Sequence, residues 1–167
     1  ILSIFMRPVR HERPISSIAL LAILVAGCST RDPFADPFQG PRPGWATVPD
    51  RSFVPHGLPM FDGTRGTVLT WADLSDAVAW ADVVVIGEQH DDAVAHALQR
   101  AVVEETIARF PRTAVSMEML ERDEQATVDD YLAGTIDADV FMERTGSRNW
   151  AGKDTWVLWY QPMIDAA

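Results

Sequence analysis

Cysteine is almost missing from this 167-residue chain: Cys28 is the only one. With no second thiol, an intrachain disulfide cannot form, and were Cys28 acylated no free thiol would remain for a nucleophile or a metal site. A Gly-rich phosphate loop, a Walker pattern and a serine nucleophile elbow are all absent too. Positive charge is short: 14 Lys and Arg stand against 24 Asp and Glu, a net of −10. Arg7, Arg10 and Arg13 against Glu12 give residues 1–27 a charge of +2, which leaves −12 for residues 28–167. So acidic a stretch is a poor partner for nucleic acid and a better one for cations, metals or small molecules. There is no internal repeat.

What is present begins with a leader. Ile1 is no initiator, whereas Met6 opens a plausible one: a basic region, an apolar core from Ile18 to Ala26, then Gly27-Cys28. This is the three-part plan of a secretory signal, too short for a comfortable membrane span. Leu24-Val25-Ala26-Gly27-Cys28 resembles the bacterial lipobox. That resemblance implies cleavage before Cys28 and acylation of its thiol, so that acyl chains such as palmitate hold the protein at a membrane surface. Ser29 follows, with no Asp to signal retention at the inner membrane, so the expected address is the outer membrane, facing the periplasm.

From residue 28 to residue 59 the chain reads as a tether, because seven of the eleven prolines fall there. His56 lies in this tract and reads as a solvated linker residue. The expected domain occupies residues 60–167 and is incomplete at its C-terminus, since the sequence stops where a helix is beginning. Asp62-Gly63-Thr64-Arg65-Gly66 is turn chemistry between two short strands. Thr70 caps a helix from Trp71 to Trp80, with both tryptophans read as packing residues.

The centre of the domain is Asp82 to His96, DVVVIGEQHDDAVAH. Val83 to Ile86 is a β-branched run without polar alternation, as suits a strand buried on both faces of a parallel sheet. Gly87 permits a sharp turn. Asp91 or Asp92 then caps a helix to about Arg109, with Val94, Leu98, Val102 and Ala93, Ala97, Ala101 as its buried ladders. Thr113 to Met117 reads as a second strand ending at Glu118. Strand, helix and strand form a right-handed βαβ unit. The fold class is therefore α/β, a parallel sheet with helices on its faces, forming the N-terminal part of a larger domain. The crossover brings Glu88 and Glu118 to the same sheet edge, where open α/β sheets hold ligands. Helices are expected over Arg122–Ala133 and Asp137–Arg144, and another packed segment from Trp156.

Glu88, His90, His96 and Glu118 thus converge on one crevice. Carboxylate and imidazole together suit a divalent metal, with Glu88, His90 and Glu118 the candidate ligands. Glu88 and His90 can equally act as catalytic base and acid on water or an ester. The structural alternative is that Asp91 or Asp92 serves as a cap, Glu88 favours the positive helix end and the histidines lie on the surface.

VVIGEQHDDAVAHALQ, SMEMLERDEQATVDDYLAGTI, Trp150 and WVLWYQPMIDAA, in this order, resemble the ChaN-type haem-binding lipoproteins. That family sits in a superfamily with erythromycin-esterase-like and TIKI/TraB-type proteins. The resemblance implies an α/β envelope domain that binds haem in iron uptake, with two haems stacked between paired subunits. It carries Gly87, Glu88, His90, His96 and Glu118 over as the shared pocket. The haem ligand stays open between Tyr160, Tyr131 and His90. Trp150, Trp156 and Trp159 are candidates for a flat haem-facing surface or for core. The competing function is a hydrolase of the same superfamily, metal-dependent or built on His90 and Glu88. A scaffold with a vestigial pocket is the third.

Overall fold

The computed structural model describes residues 2–5 and 55–167. The signal core, the lipobox with Cys28 and the tether up to residue 54 lie outside the described residues.

Chain entry into the domain is fixed early. A single 3-10 turn, Pro55–Gly57, lies on the long helix described below. His56 is exposed, yet its ring lies tilted against Trp71 with centroids 4.2 Å apart and bonds to Glu105. Glu105 also accepts from the Trp71 indole at 2.7 Å. Beyond it β2 (Met60–Phe61) and β3 (Val68–Leu69) form the expected hairpin. Its turn is held by Asp62, which accepts from the amides of Thr64 and Arg65.

Helix α1 (Trp71–Trp80) has the predicted limits because Thr70 and Asp73 make a reciprocal capping box. Leu74 and Val78 are its buried side. Trp80 departs from expectation and is 70 % exposed, pointing away from the core that Leu74 enters. Strand β4 (Val83–Ile86) then buries Val84 and Ile86 fully and leaves Val83 and Val85 half-covered. One face is core and the other is only partly sheltered.

Asp92 caps helix α2 (Ala93–Arg109), accepting from the amides of Val94 and Ala95. Strand β5 (Ala114–Met117) follows. The expectation of β4 and β5 side by side in a parallel sheet is not met. Strand β1 (Leu2–Phe5) lies between them and pairs antiparallel with both, in the order β4-β1-β5. Leu2 faces Ile86 on one side and Met117 on the other. Since each outer strand opposes β1, β4 and β5 still run in the same direction with their C-terminal ends level. Periodicity identifies a strand by its own residues and says nothing of which strand becomes its neighbour.

The remaining chain is helical: α3 (Gln125–Leu132), α4 (Ala138–Thr145), α5 (Trp156–Trp159) and α6 (Gln161–Ala166). Asp137 caps α4, and Gly146 ends it in the left-handed conformation that glycine tolerates without strain. These helices roof the core. Trp156, Tyr160 and Met163 are all 0 % exposed and pack with Phe141, Val84, Ile86 and Val103. Full burial of one such side chain contributes about 1.5–3 kcal/mol, so this aromatic cluster is the main apolar anchor of the domain.

Candidate functional site

The loop after β4 and the first turns of α2 hold the site. Glu88 leaves the strand end with its side chain only 1 % exposed, while the His90 side chain is 54 % exposed. Burying a carboxylate is costly unless its oxygens are satisfied. Here they are. Oε1 accepts from the Tyr160 hydroxyl at 2.5 Å and from His90 Nδ1 at 2.7 Å; Oε2 accepts from the Gln99 amide at 3.4 Å. Burial pushes the Glu88 carboxyl up, but the hydrogen bonds from Tyr160, His90 and Gln99, together with the charge of His96, outweigh it. The net position is below the usual carboxylate range.

His96 lies beneath this group and is 1 % exposed. Its ring stacks on Trp159 with centroids 4.5 Å apart and meets Tyr160 edge-on at 5.0 Å. Nε2 faces the His90 carbonyl at 3.1 Å, and Nδ1 faces Gln99 Oε1 at 3.0 Å. Gln99 joins everything: its amide nitrogen also donates to the Gly87 carbonyl at 3.3 Å. A carbonyl only accepts, so the NH2 of Gln99 must face Gly87 and its oxygen must face His96. Gln99 escapes the sequence reading, because the ladders that mark the buried face of α2 are built from apolar residues alone. The signal that finds it is spacing: His96, Gln99, Val103 and Thr106 recur at helical intervals, and all four are buried.

The structure brings Glu88, His90 and His96 together around the β4–α2 loop. Gly87 contributes its carbonyl, and a Cβ placed there would meet no atom within 4 Å, so the chain itself does not demand glycine. Glu118 lies just past the end of β5 and acts on the site at a distance, as one of the charges that raise the Tyr160 phenol. Among the described residues no group of three His, Cys, Asp or Glu side chains can hold a metal ion. The expected divalent site of Glu88, His90 and Glu118 is not assembled, since Glu88 spends its lone pairs inward on protein donors.

The aromatic candidates divide. Trp156 is core, Trp159 is half-buried against His96, and Trp150 stands 36 % exposed with its ring edge-on to His90 at 5.9 Å. Tyr131 donates to Asp165 at 2.6 Å. Burial foremost, with the Asp165 hydrogen bond and charge, pushes its phenol up to about 12. Burial likewise raises Tyr160, reinforced by its hydrogen bond to Glu88. Two concavities, of about 410 and 370 Å3, lie between α1 and α2 and beside β5, and none of the predicted site residues lines either.

The site lies within the part of the chain that matches a known family. The model of the haem-binding uptake family, ChaN, of the Tiki superfamily, matches residues 74–167. The chain belongs to this family. No curated protein and no solved structure matches it. The ChaN-family match spans β4, α2, β5 and all of α3 to α6, and so takes in Glu88, His90, His96, Gln99, Glu118 and Tyr160.

Proposed function

We propose that this protein binds haem on the surface around His90 and serves haem or iron uptake at the bacterial envelope. The observation that carries the reading is one half-exposed imidazole beside an exposed tryptophan, in a chain of the haem-binding uptake family. A zinc ion takes three or four protein ligands, whereas the porphyrin already supplies four nitrogens to its iron. A single outward donor flanked by apolar surface suits the second case. Helix α5 follows the Trp150 loop and exposes Val157 and Leu158. Acylation at Cys28 would place the domain at the outer membrane, and paired subunits would cover two haems. The parallel sheet of β4 and β5 belongs to the same reading.

Hydrolysis is the rival. A histidine oriented by a carboxylate is a general-base arrangement, and that favours it. Against it, Glu88 is enclosed and its oxygens already accept three hydrogen bonds, which leaves it poorly placed to activate water.

Titrating the full chain with haemin, while following absorbance and sedimentation mass together, tests the proposal. Haem carriage predicts a saturable Soret band and pairing of subunits. Absence of a saturable band at micromolar haem, with turnover of model esters that Glu88→Gln abolishes, would replace it with the hydrolase.

A further inference from the structure

The larger of the two concavities, about 410 Å3, lies between α1 and α2 on residues that the Glu88 cluster does not use. Leu74 and Val78 of α1 and Val102 of α2 give it apolar walls, and Trp71 and Phe110 add aromatic faces. A cavity of this size, apolar with a few placed polar groups, has the usual form of a small-molecule site.

The polar groups decide which molecule fits. Thr106 lines the cavity and is only 4 % exposed, and its hydroxyl has no hydrogen-bond partner among the described residues. Buried hydroxyls are ordinarily paired, because leaving one dry costs free energy. Arg109 lines the cavity too, from the exposed end of α2. Four residues before it stands Glu105, the position from which a carboxylate ordinarily pairs with an arginine on a helix surface. Here Glu105 is engaged elsewhere: it accepts from the Trp71 indole at 2.7 Å and bonds to His56. Glu104 pairs with Arg100 at 2.6 Å. Among the described residues no carboxylate pairs with Arg109.

Arg109 instead reaches from α2 to α1. Nη1 donates to the Ser75 carbonyl at 3.4 Å, and the guanidinium carbon lies 5.4 Å from the centre of the Phe110 ring. That one long bond leaves the other N–H donors for an external acceptor. A guanidinium held beside an apolar cavity is a fork for a carboxylate.

We propose that the α1–α2 cavity binds an amphipathic monocarboxylate, with the apolar body and single anionic head of a medium-chain fatty acid. The alkyl chain fills the space among Leu74, Val78 and Val102. The carboxylate accepts from Arg109, with the Thr106 hydroxyl as a further donor. No part of this depends on the haem reading.

Isothermal titration of the full chain with decanoate tests it, with decanol and decylamine offering the same chain under other heads. Decanoate is expected to saturate one site and to shift the Trp71 indole N–H resonance, assigned through Trp71→Phe. Decanol is expected to bind at least about tenfold more weakly, the loss that goes with one charge-assisted hydrogen bond, and decylamine not to bind. Arg109→Gln is expected to bring decanoate to the level of decanol, and Thr106→Val to weaken it. Equal binding of decanol, or undiminished binding of decanoate by Arg109→Gln, overturns the carboxylate assignment. The alcohol comparison needs no substitution, so it decides even where a variant fails to fold. No saturation at millimolar decanoate, or saturation that leaves the Trp71 resonance unmoved, overturns the site. Pairing of the haem-free chain that Arg109→Gln abolishes would give the cavity to a second copy and overturn the proposal as well.

Discussion

Tyr131 and Tyr160 are the only tyrosines in the chain, and each phenol donates to a carboxylate. Both are raised above the ordinary value near 10, Tyr131 to about 12 and Tyr160 through its burial and its bond to Glu88. A raised folded value means that these bonds stabilise the native state fully below pH 10. That stabilisation is lost as pH climbs past the point where the unfolded chain ionises. Tyrosinate absorbance should therefore stay absent from the folded protein between pH 10 and about 12, and appear together with loss of near-UV dichroism. Ionisation of one phenol near pH 10 with the fold intact would contradict the hydrogen bonds described. At this scale the sequence exposes chemistry better than pairing. Glu88 and His90 stand out by their place after a β-branched run. That Tyr160 meets Glu88 from 72 positions away is visible only once α5 and α6 fold over the sheet.

Helix α2 shows where pattern reading stops. Its ladders correctly mark Ala93, Leu98 and Val102 as buried, yet Val94, Ala97 and Ala101 are only half-covered. The face is rotated toward His96 and Gln99, because their polar groups find partners in the β4–α2 loop. A hydrophobic count cannot register such burial, since it scores polar residues as solvent-seeking. Gln99→Leu should leave the Gly87 carbonyl and His96 Nδ1 without partners and cost about 1–3 kcal/mol. Denaturant unfolding would measure it. A loss of less than about 0.5 kcal/mol, the range of ordinary surface changes, would mean that the amide holds nothing. Caps are more legible: Thr70 begins α1 as its side-chain oxygen predicts, Asp92 is the one of two candidates that caps α2, and Asp137, read as the first residue of its helix, is the cap just before it.

For the molecule as a whole, the α/β class follows from the order of periodic segments, and the sheet order does not. The βαβ segment makes β4 and β5 parallel in direction, while a strand from residues 2–5 occupies the place between them. On the lipoprotein reading, cleavage before Cys28 removes that strand. Residues 28–167 alone should then close the gap, with the amides of Val84, Val85 and Val115 still protected from hydrogen exchange through direct β4–β5 pairing. Rapid exchange at all three, with the helices intact, would show that the sheet needs its first strand.

The middle strand precedes Met6, where the leader reading starts the chain, and the proposed cut falls before Cys28. On either count the sheet gives up that strand, and its two remaining strands must complete each other. A start site and a cleavage site, both outside the haem-binding match, would then decide which strands are neighbours.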